Sequence, residues 1–114
     1  AFSFGDSLTS DQANIIVGGP HETTDVGKYP ANAWGFHDMH GNVWEWCADW
    51  YGDYPTGAAR DPVGPAGGSI RVFRGGSWYY TANNARSANR YGTVPAFSNL
   101  YLGFRLSLRP PASK

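Results

Sequence analysis

The block Arg-Gly-Gly-Ser-Trp at residues 74–78 constrains the fold more than any other segment of this chain. Ile70 and Val72 stand two positions apart just before it, which predicts a short strand, and the paired glycines end that strand. A second alternating run follows at residues 102–108, where Leu or Phe occupies every other position. We therefore expect two strands, the second with one core face and one charged face, joined by the irregular segment 79–101.

A third strand is predicted where Trp44, Trp46 and Ala48 recur at every second position. The chain enters this strand through a tight turn at Gly41 and Asn42, two residue types that adopt turn conformations readily. Because side chains alternate across a strand, both tryptophans are expected on one face of the sheet.

Fifteen glycines and eight prolines among 114 residues make the remainder of the chain rich in loops. Residues 5–33 and 52–69 show no helix or strand period and are predicted to be loops. A short helical turn is compatible with residues 82–90. At this length the chain forms one domain with a single core, and we expect a β or α+β fold instead of a helical bundle.

The charge balance of the chain argues against two classes of partner. Nine basic and nine acidic residues give a net charge of zero, so no basic field attracts nucleic acid or an anionic membrane. No apolar run approaches the roughly 20 residues of a membrane span. The first residues lack the basic and apolar regions of a signal peptide. We therefore expect no nucleic-acid partner and no membrane insertion by this chain.

Three side chains are candidates for thiol or metal chemistry. Cys47 is the single cysteine of the chain, which rules out an internal disulfide and a zinc site built from cysteines. We expect Cys47 to act as a small buried hydrophobic residue instead of a reactive thiol. His37 and His40 stand three residues apart, as in some metal sites, but no third ligand follows them. A structural or solvent-facing role is the prediction for both histidines.

Three segments, taken in order, resemble one known family. Residues 32–46 read Asn-Ala-Trp-Gly-Phe-His-Asp-Met-His-Gly-Asn-Val-Trp-Glu-Trp, and the blocks at residues 74–78 and 102–106 follow. Together they resemble the formylglycine-generating enzyme, or sulfatase-modifying factor, domain. The resemblance implies an α+β, C-type-lectin-like fold of that enzyme's type, loop-rich with a small antiparallel sheet. It implies one domain over residues 1–109, without the N-terminal half of the family's domain, and a tail at residues 110–114.

The catalytic cysteines of the resembled enzyme have no counterpart in this sequence. Their positions correspond to Tyr80 and Ala85. Oxidation of a substrate cysteine to formylglycine proceeds through thiol chemistry with a metal. A related class of oxygenases in the superfamily carries its iron on a separate helical domain. The resemblance therefore implies that this chain is not an enzyme by itself and uses no organic cofactor.

The resemblance also implies a structural calcium ion. The family's calcium position corresponds to the side chains of Asp38 and Glu45 together with the backbone carbonyls of Gly41 and Val43. Carboxylate and carbonyl oxygens are the ligands that Ca²⁺ prefers, and water would complete its shell. The alternative is that Glu45 pairs with an arginine and Asp38 caps a turn.

The segment 79–101 resembles the variable region of the target proteins of diversity-generating retroelements. Its aromatic and small residues are reachable from an asparagine codon by changing only the adenines, and Lys, Glu, Gln, Met and Trp are absent from residues 79–108. The aromatic residues lack a strand or helix period, which disfavours the alternative that they are ordinary core residues. Clustered exposed tyrosines favour recognition, because each offers a large rigid contact area.

This second resemblance assigns two sets of residues. The predicted ligand-binding residues are Tyr79, Tyr80, Thr81, Tyr91, Gly92, Thr93, Val94, Ala96, Phe97, Ser98, Leu100 and Tyr101. The predicted scaffold residues, which would hold the loop backbones by side-chain hydrogen bonds, are Arg74, Trp78, Asn84, Arg86, Asn89, Arg90 and Arg105. Variation at the exposed set would then cost little stability.

The expected function is a non-enzymatic, receptor-type module that binds a protein or a surface glycan through a diversified, aromatic-rich surface. A bacterial, archaeal or phage origin is implied, with surface display through an N-terminal region outside this sequence. The alternative is a noncatalytic or split member of the formylglycine-generating enzyme and iron-oxygenase superfamily, whose activity lies in a missing N-terminal part.

Overall fold

The structure is a computed structural model that describes residues 1–108, so the predicted tail at residues 110–114 lies outside it. The strands are β1 (Trp44–Trp50), β2 (Arg71–Arg74), β3 (Tyr91–Thr93) and β4 (Leu102–Gly103), and a 3-10 helix occupies Ala82–Ala85. They form one four-stranded sheet in the order β3-β2-β1-β4. No helix in the described part of the chain is long and apolar enough to cross a membrane.

The sheet is mixed, which corrects the expectation of a small antiparallel sheet. β2 is antiparallel to both β1 and β3, whereas β4 runs parallel to β1, with Trp44 opposite Leu102. β3 and β4 lie at opposite edges, so the chain between them crosses from one edge to the other. A crossover connection of this kind, unlike a hairpin, permits parallel pairing. Within residues 1–108 the helical content is limited to the 3-10 helix, so the α part of the expected α+β class is not matched by an α-helix.

The predicted strand over residues 102–108 is wrong beyond its first two residues. Only these two pair with β1, and the side chains of Phe104, Leu106 and Leu108 are exposed instead of forming a core face. An alternating apolar pattern produces a buried face only where a second layer covers it. None of the described residues covers this face, which is why the pattern alone misassigned the segment.

The other two predicted strands are present with changes in detail. Trp44 is buried, Trp46 is half-buried and Ala48 is exposed, so the alternation does not give one uniformly buried face. The register between β1 and β2 shifts after Trp46, and an irregularity of this kind re-aims the side chains that follow it. β2 begins one residue after Ile70, which is exposed, while Val72 is fully buried.

A small core forms where the N-terminal segment packs against the 3-10 helix. The buried residues Leu8, Ala13, Ile15 and Ala85 form this core, and Phe2, Phe4 and Ala82 pack against it. His40 is buried beside it, with Nδ1 2.7 Å from the carbonyl oxygen of Ala85 and Nε2 3.0 Å from the backbone nitrogen of Ser3. Because the amide of Ser3 donates to Nε2, the proton of the imidazole resides on Nδ1. His40 therefore has the predicted structural role: it links the N-terminal segment to the 3-10 helix.

Residues 5–33 and 52–69 form the predicted loops and turns. The first loop is tied to the start of β1 by two buried asparagines. The amide of Asn42 donates to the carbonyl of Asn14 at 2.9 Å, and the side chain of Asn14 donates to Oδ1 of Asn42 at 3.2 Å. Gly41 and Asn42 both have positive φ angles, 80° and 65°, and they form the predicted tight turn into β1.

Candidate functional site: an aromatic groove

A cavity of about 340 Å³ is lined by residues of all four strands and of the segment that leads into β4. We call this cavity the aromatic groove. Its lining consists of six aromatic residues, Trp44, Phe73, Tyr80, Tyr91, Phe97 and Tyr101, together with Gly92, Thr93, Asn99 and Leu102. No charged side chain contributes to this lining.

Trp44 forms the floor of the aromatic groove. Its side chain is only 2% exposed, and its ring meets those of Phe73, Tyr80 and Tyr91 at centroid distances of 5.1, 5.5 and 5.4 Å. The angles between the planes are 75°, 70° and 84°, so each contact is edge-to-face. Such aromatic pairs add stability beyond simple burial. The floor therefore belongs to the buried core of the protein.

The rim of the groove carries exposed aromatic rings. Tyr79 stacks on Tyr101 with a centroid distance of 5.5 Å and an interplanar angle of 9°. Tyr79, Tyr91 and Phe97 are exposed, whereas Tyr80 and Tyr101 are half-buried. The alternative that all five are core residues therefore does not hold for the three exposed rings.

The predicted ligand-binding residues divide into two halves. Tyr80, Tyr91, Gly92, Thr93, Phe97 and Tyr101 line the groove. Tyr79, Thr81, Val94, Ala96, Ser98 and Leu100 lie outside its lining and are exposed. The sequence reasoning missed Trp44, Phe73, Asn99 and Leu102, which also line it. The strand alternation at Trp44 was visible in the sequence, but the strand pairing that brings it beneath Tyr91 was not.

Two polar side-chain atoms of the groove lining accept hydrogen bonds within the protein. The hydroxyl of Tyr91 accepts a hydrogen bond from Nδ2 of Asn84 at 3.3 Å. Oδ1 of Asn99 accepts one from the backbone nitrogen of Tyr101 at 3.0 Å. Burial, followed by a side-chain hydrogen bond with Tyr101, raises the pKa of Tyr80 above its ordinary value.

Replacing Tyr80 with phenylalanine is expected to reduce the alkaline sensitivity of the fold. Because the pKa of Tyr80 is raised in the folded state, folding favours the protonated phenol. This contribution is fully present below the unfolded pKa of about 10 and is lost as pH rises through the higher folded value. The measurement is the urea midpoint from about pH 8 to about pH 11, with and without Tyr80→Phe.

Both proteins in that comparison carry Cys47→Ala, because burial also raises the pKa of the Cys47 thiol. Tyr29→Phe in the same Cys47→Ala background, at a tyrosine outside the groove lining, is the matched control for the loss of a phenol group. An equal loss of stability at high pH with and without Tyr80 would contradict the assignment.

Side chains of the predicted scaffold hold the backbone around the 3-10 helix. Nδ2 of Asn89 donates to the carbonyl of Asn84 at 2.7 Å, and Nε of Arg86 donates to the carbonyl of Asn83 at 3.0 Å. Asn84 in turn reaches the hydroxyl of Tyr91, as described above. These bonds satisfy backbone carbonyls in a segment that has no sheet partner. Tyr91, which lines the groove, is thereby connected through Asn84 to the 3-10 helix.

Two arginines of the predicted scaffold hold the long loop 52–69 against the frame. Nη1 of Arg74 donates to the carbonyl of Ser87 at 3.0 Å, and Nη2 donates to the hydroxyl of Tyr54 at 3.3 Å. The guanidinium of Arg90 lies 3.8 Å from the ring centroid of Tyr54 and donates to the carbonyl of Gly52. Planar guanidinium groups combine hydrogen bonding and ring stacking in this way.

Trp78 departs from the scaffold prediction. Its indole Nε1 is buried without a hydrogen-bond partner among the described residues. The backbone nitrogen of Trp78 donates to the carbonyl of Asn42 at 2.9 Å, and its ring meets that of Tyr79 edge-to-face at 5.7 Å. Trp78 therefore supports the rim by packing and by its main chain, not by a side-chain hydrogen bond.

The family model of the sulfatase-modifying factor enzyme 1-like domain matches residues 2–109 of this chain. The chain belongs to this family.

Three relatives show how the domain occurs elsewhere. Serine/threonine-protein kinase pkn1 of Chlamydia caviae is 43% identical over 105 residues, covering 89% of this chain and 16% of that protein. The formylglycine-generating enzyme of Streptomyces coelicolor is 37% identical over 122 residues, covering 91% and 39%. Inactive C-alpha-formylglycine-generating enzyme 2 of Mus musculus is 38% identical over 93 residues, covering 76% and 26%.

The solved structure of Treponema denticola variable protein 1 superposes with a TM-score of 0.78 at 38% identity. The match covers 83% of this chain and 35% of that one. This likeness supports the expected fold of the formylglycine-generating enzyme type. This member of the sulfatase-modifying factor family therefore spans less than half the length of the relatives and of the solved structure that it matches.

The two residues that the resemblance places at the enzyme's catalytic cysteines have other surroundings in this family member. Tyr80 lines the aromatic groove, and Ala85 is buried in the small core. Cys47 is half-buried on β1. Burial is the main cause that raises the pKa of its thiol, so the nucleophilic thiolate is disfavoured. This environment agrees with the expected role of Cys47 as a small hydrophobic residue.

The residues that the resemblance assigns to a calcium ion carry oxygen donors of the kind that a hard cation prefers. Oδ2 of Asp38 accepts a hydrogen bond from the backbone nitrogen of Gly27 at 2.8 Å, whereas Oδ1 is buried without a partner among the described residues. Glu45 supplies a second carboxylate, and the carbonyls of Gly41 and Val43 would supply neutral oxygens. Residues 1–108 contain no group of three or more His, Cys, Asp or Glu side chains that could hold a metal, so backbone carbonyls and water would have to complete the shell.

Glu45 pairs with Arg105, as in the alternative to calcium binding in which Glu45 pairs with an arginine. Its Nε and Nη2 donate to the two carboxylate oxygens of Glu45 at 2.7 and 2.6 Å, and this bond raises the pKa of Arg105. Its guanidinium also donates to the carbonyls of His37 and Asp38, both at 2.9 Å. Arg105 therefore holds the loop before β1 in place, as predicted for a scaffold residue.

Proposed function

We propose that this chain is a non-enzymatic binding module that holds a macromolecular ligand in the aromatic groove. The observation that carries the proposal is that two sets of residues in segment 79–101 have different roles. Tyr80, Tyr91 and Phe97 line the groove, whereas Arg86 and Asn89, which lie between them in sequence, donate hydrogen bonds to backbone carbonyls. Exposed aromatic rings around a concave site are typical of recognition surfaces.

Two further observations support a role without catalysis. The chain has a single cysteine, Cys47, and it lies on β1 away from the groove lining. The matched relatives include one that is named inactive, and the matched solved structure is named a variable protein. We propose that the groove residues are diversified in this protein as they are in the target proteins of diversity-generating retroelements.

Deep sequencing of the locus in a population of the source organism tests this proposal. We expect substitutions at the codons of Tyr80, Tyr91 and Phe97, which line the groove and can arise from an asparagine codon by changes of its adenines. The codons of Trp44 and Asn84 are expected to stay unchanged. The floor and frame serve as the internal control, because they stabilise the fold and their replacement is costly. A uniform sequence, or substitutions spread evenly over floor and walls, would overturn the proposal.

A second candidate function rests on the coverage of the enzyme relatives. The chain matches 39% of the length of the Streptomyces coelicolor enzyme. In this alternative it is a split or noncatalytic member of the superfamily, and the activity depends on polypeptide outside this sequence. Population sequencing separates the two candidates, since this alternative predicts that wall and floor codons are equally fixed.

We also propose that Ca²⁺ binds at Asp38, Glu45, Gly41 and Val43, with Glu45 shared between the ion and Arg105, and stabilises the loop before β1. The unpartnered Oδ1 of Asp38 supports this assignment, since a buried carboxylate oxygen is costly without a partner. Ca²⁺ at a hundredfold excess over its Kd is expected to stabilise the folded state by about 2.7 kcal/mol.

Chelation of Ca²⁺ is therefore expected to lower the melting temperature, and Asp38→Asn is expected to abolish the difference between chelated and Ca²⁺-loaded protein. Asp61→Asn, at an acidic residue in the exposed loop 52–69, is the matched control and should retain the response. An unchanged melting temperature of the wild-type protein on chelation would rule out the site.

A further inference from the structure

On the basis of the proposed function, we infer that the aromatic groove takes one neutral aromatic or branched aliphatic side chain from a protein ligand. The charge of the surrounding segment is the first reason. Residues 75–104 contain no acidic residue, and their charged residues are the two arginines Arg86 and Arg90. A cationic group would find no carboxylate to pair with in this segment.

The apolar lining disfavours an anionic group as well. No charged side chain lines the groove, and burying an unpaired charge among aromatic rings carries a large desolvation cost. Arg90 already donates to the carbonyl of Gly52 and lies over the ring of Tyr54. A neutral group is therefore favoured over a group of either sign.

The apolar lining also disfavours a saccharide. Six of its ten residues are aromatic, and the hydroxyl of Tyr91 and Oδ1 of Asn99 already accept hydrogen bonds inside the protein. A sugar that loses its bound water needs replacement hydrogen bonds for several hydroxyl groups, and unmade bonds are costly. An apolar side chain has no such need.

The size of the groove and its rim indicate a side chain that belongs to a larger ligand. A cavity of about 340 Å³ lies at the lower end of the range for drug-sized ligands, roughly 300–1,000 Å³. Around the opening, Tyr79 and Phe97 are exposed and offer flat contact area to the polypeptide that flanks the inserted side chain. Anchoring of one residue in a pocket, with a surrounding contact ring, is a common way in which interfaces gain affinity.

An NMR titration with defined probes tests the inference. We expect N-acetyl-tryptophanamide and N-acetyl-leucinamide to shift the indole resonance of Trp44 and the amide resonance of Gly92, with a Kd on the order of 1 mM for the better probe. A glycine-flanked tryptophan pentapeptide is expected to bind more tightly than free indole, because its backbone contacts the rim. Methyl glycosides and tetramethylammonium are expected to leave both resonances unchanged.

A pair of variants in the same loop locates the binding. Phe97 lines the groove, whereas Leu100 is 81% exposed and outside the lining. Phe97→Ala is expected to weaken probe binding at least about fivefold, and Leu100→Ala to change it less than about twofold. Equal effects of the two substitutions would overturn the inference.

Three results would overturn the inference and leave the proposed function intact: binding of a methyl glycoside, binding of tetramethylammonium, or tighter binding of indole than of the peptide. Each would assign a different ligand chemistry to the same groove. Absence of binding by every probe would also overturn the inference. The proposed function is decided separately by the population sequences, so its failure can be distinguished from each of these outcomes.

Discussion

Replacing Trp44 with alanine is expected to lower the free energy of unfolding by about 3–5 kcal/mol, as found for large aromatic residues in protein cores. The ring is 2% exposed and makes edge-to-face contacts with Phe73, Tyr80 and Tyr91. The substitution removes both the buried area and these contacts, and it opens the floor of the aromatic groove. Urea denaturation of the wild-type and variant proteins measures the change.

Trp34→Ala is the matched control for this experiment. Trp34 is 86% exposed, so its removal is expected to change the free energy of unfolding by less than about 0.5 kcal/mol. If Trp44→Ala cost no more than this control, Trp44 would not be the floor of a packed groove.

Replacing Asn42 with alanine is expected to cost about 3 kcal/mol, the sum of lost hydrogen bonds and backbone strain. Its Oδ1 accepts hydrogen bonds from the backbone of Thr24 at 3.1 Å and from the side chain of Asn14 at 3.2 Å. Its φ angle of 65° is in the left-handed region, which alanine adopts less readily than asparagine. Thermal or urea unfolding measures the loss.

Asn42→Gly separates these two contributions. Glycine adopts the positive φ angle without strain, so this variant loses only the side-chain hydrogen bonds and is expected to cost about 2 kcal/mol. Asn83→Ala, at an exposed position of the 3-10 helix, controls for the loss of an asparagine side chain. Equal stability of the wild-type and Asn42→Ala proteins would show that the turn does not depend on this residue.

The walls of the candidate site were more predictable than its floor. Tyr80, Tyr91 and Phe97 stand in an aromatic segment without a regular period, and this irregularity indicated that rings would reach the surface. Trp44 belongs to a strand whose alternation indicated only that its ring could be buried, and Phe73 lies between the alternating positions Val72 and Arg74 of β2 and was not predicted to be buried. Their place beneath the walls depends on how β1, β2 and β3 pair, and pairing is a long-range property that local sequence does not specify.

At the proposed calcium position, too, the sequence indicated some of the neighbouring groups and the tertiary structure the others. The motif containing Asp38 and Glu45 indicated that two carboxylates and two turn carbonyls would be near one another. Arg105, 60 residues away in sequence from Glu45, lies against the same carboxylate. The sequence assigned Arg105 a scaffold role, but it did not identify Glu45 as its partner. That contact depends on the pairing of β1 with β4, which brings the two residues together.

The sequence by itself determined the family, the loops, the turn at Gly41 and Asn42, and the approximate starts of β1, β2 and β4, because these depend on motifs and on local backbone preferences. It did not predict β3, which lies in a segment that was expected to be irregular. Tertiary structure alone decided that β4 is parallel to β1 and ends at Gly103, and that Trp44 and Phe73 line the groove beside Tyr91. An alternating segment such as residues 102–108 becomes a buried strand only where another layer covers it. That cover, like the strand order, depends on contacts between residues far apart in the chain.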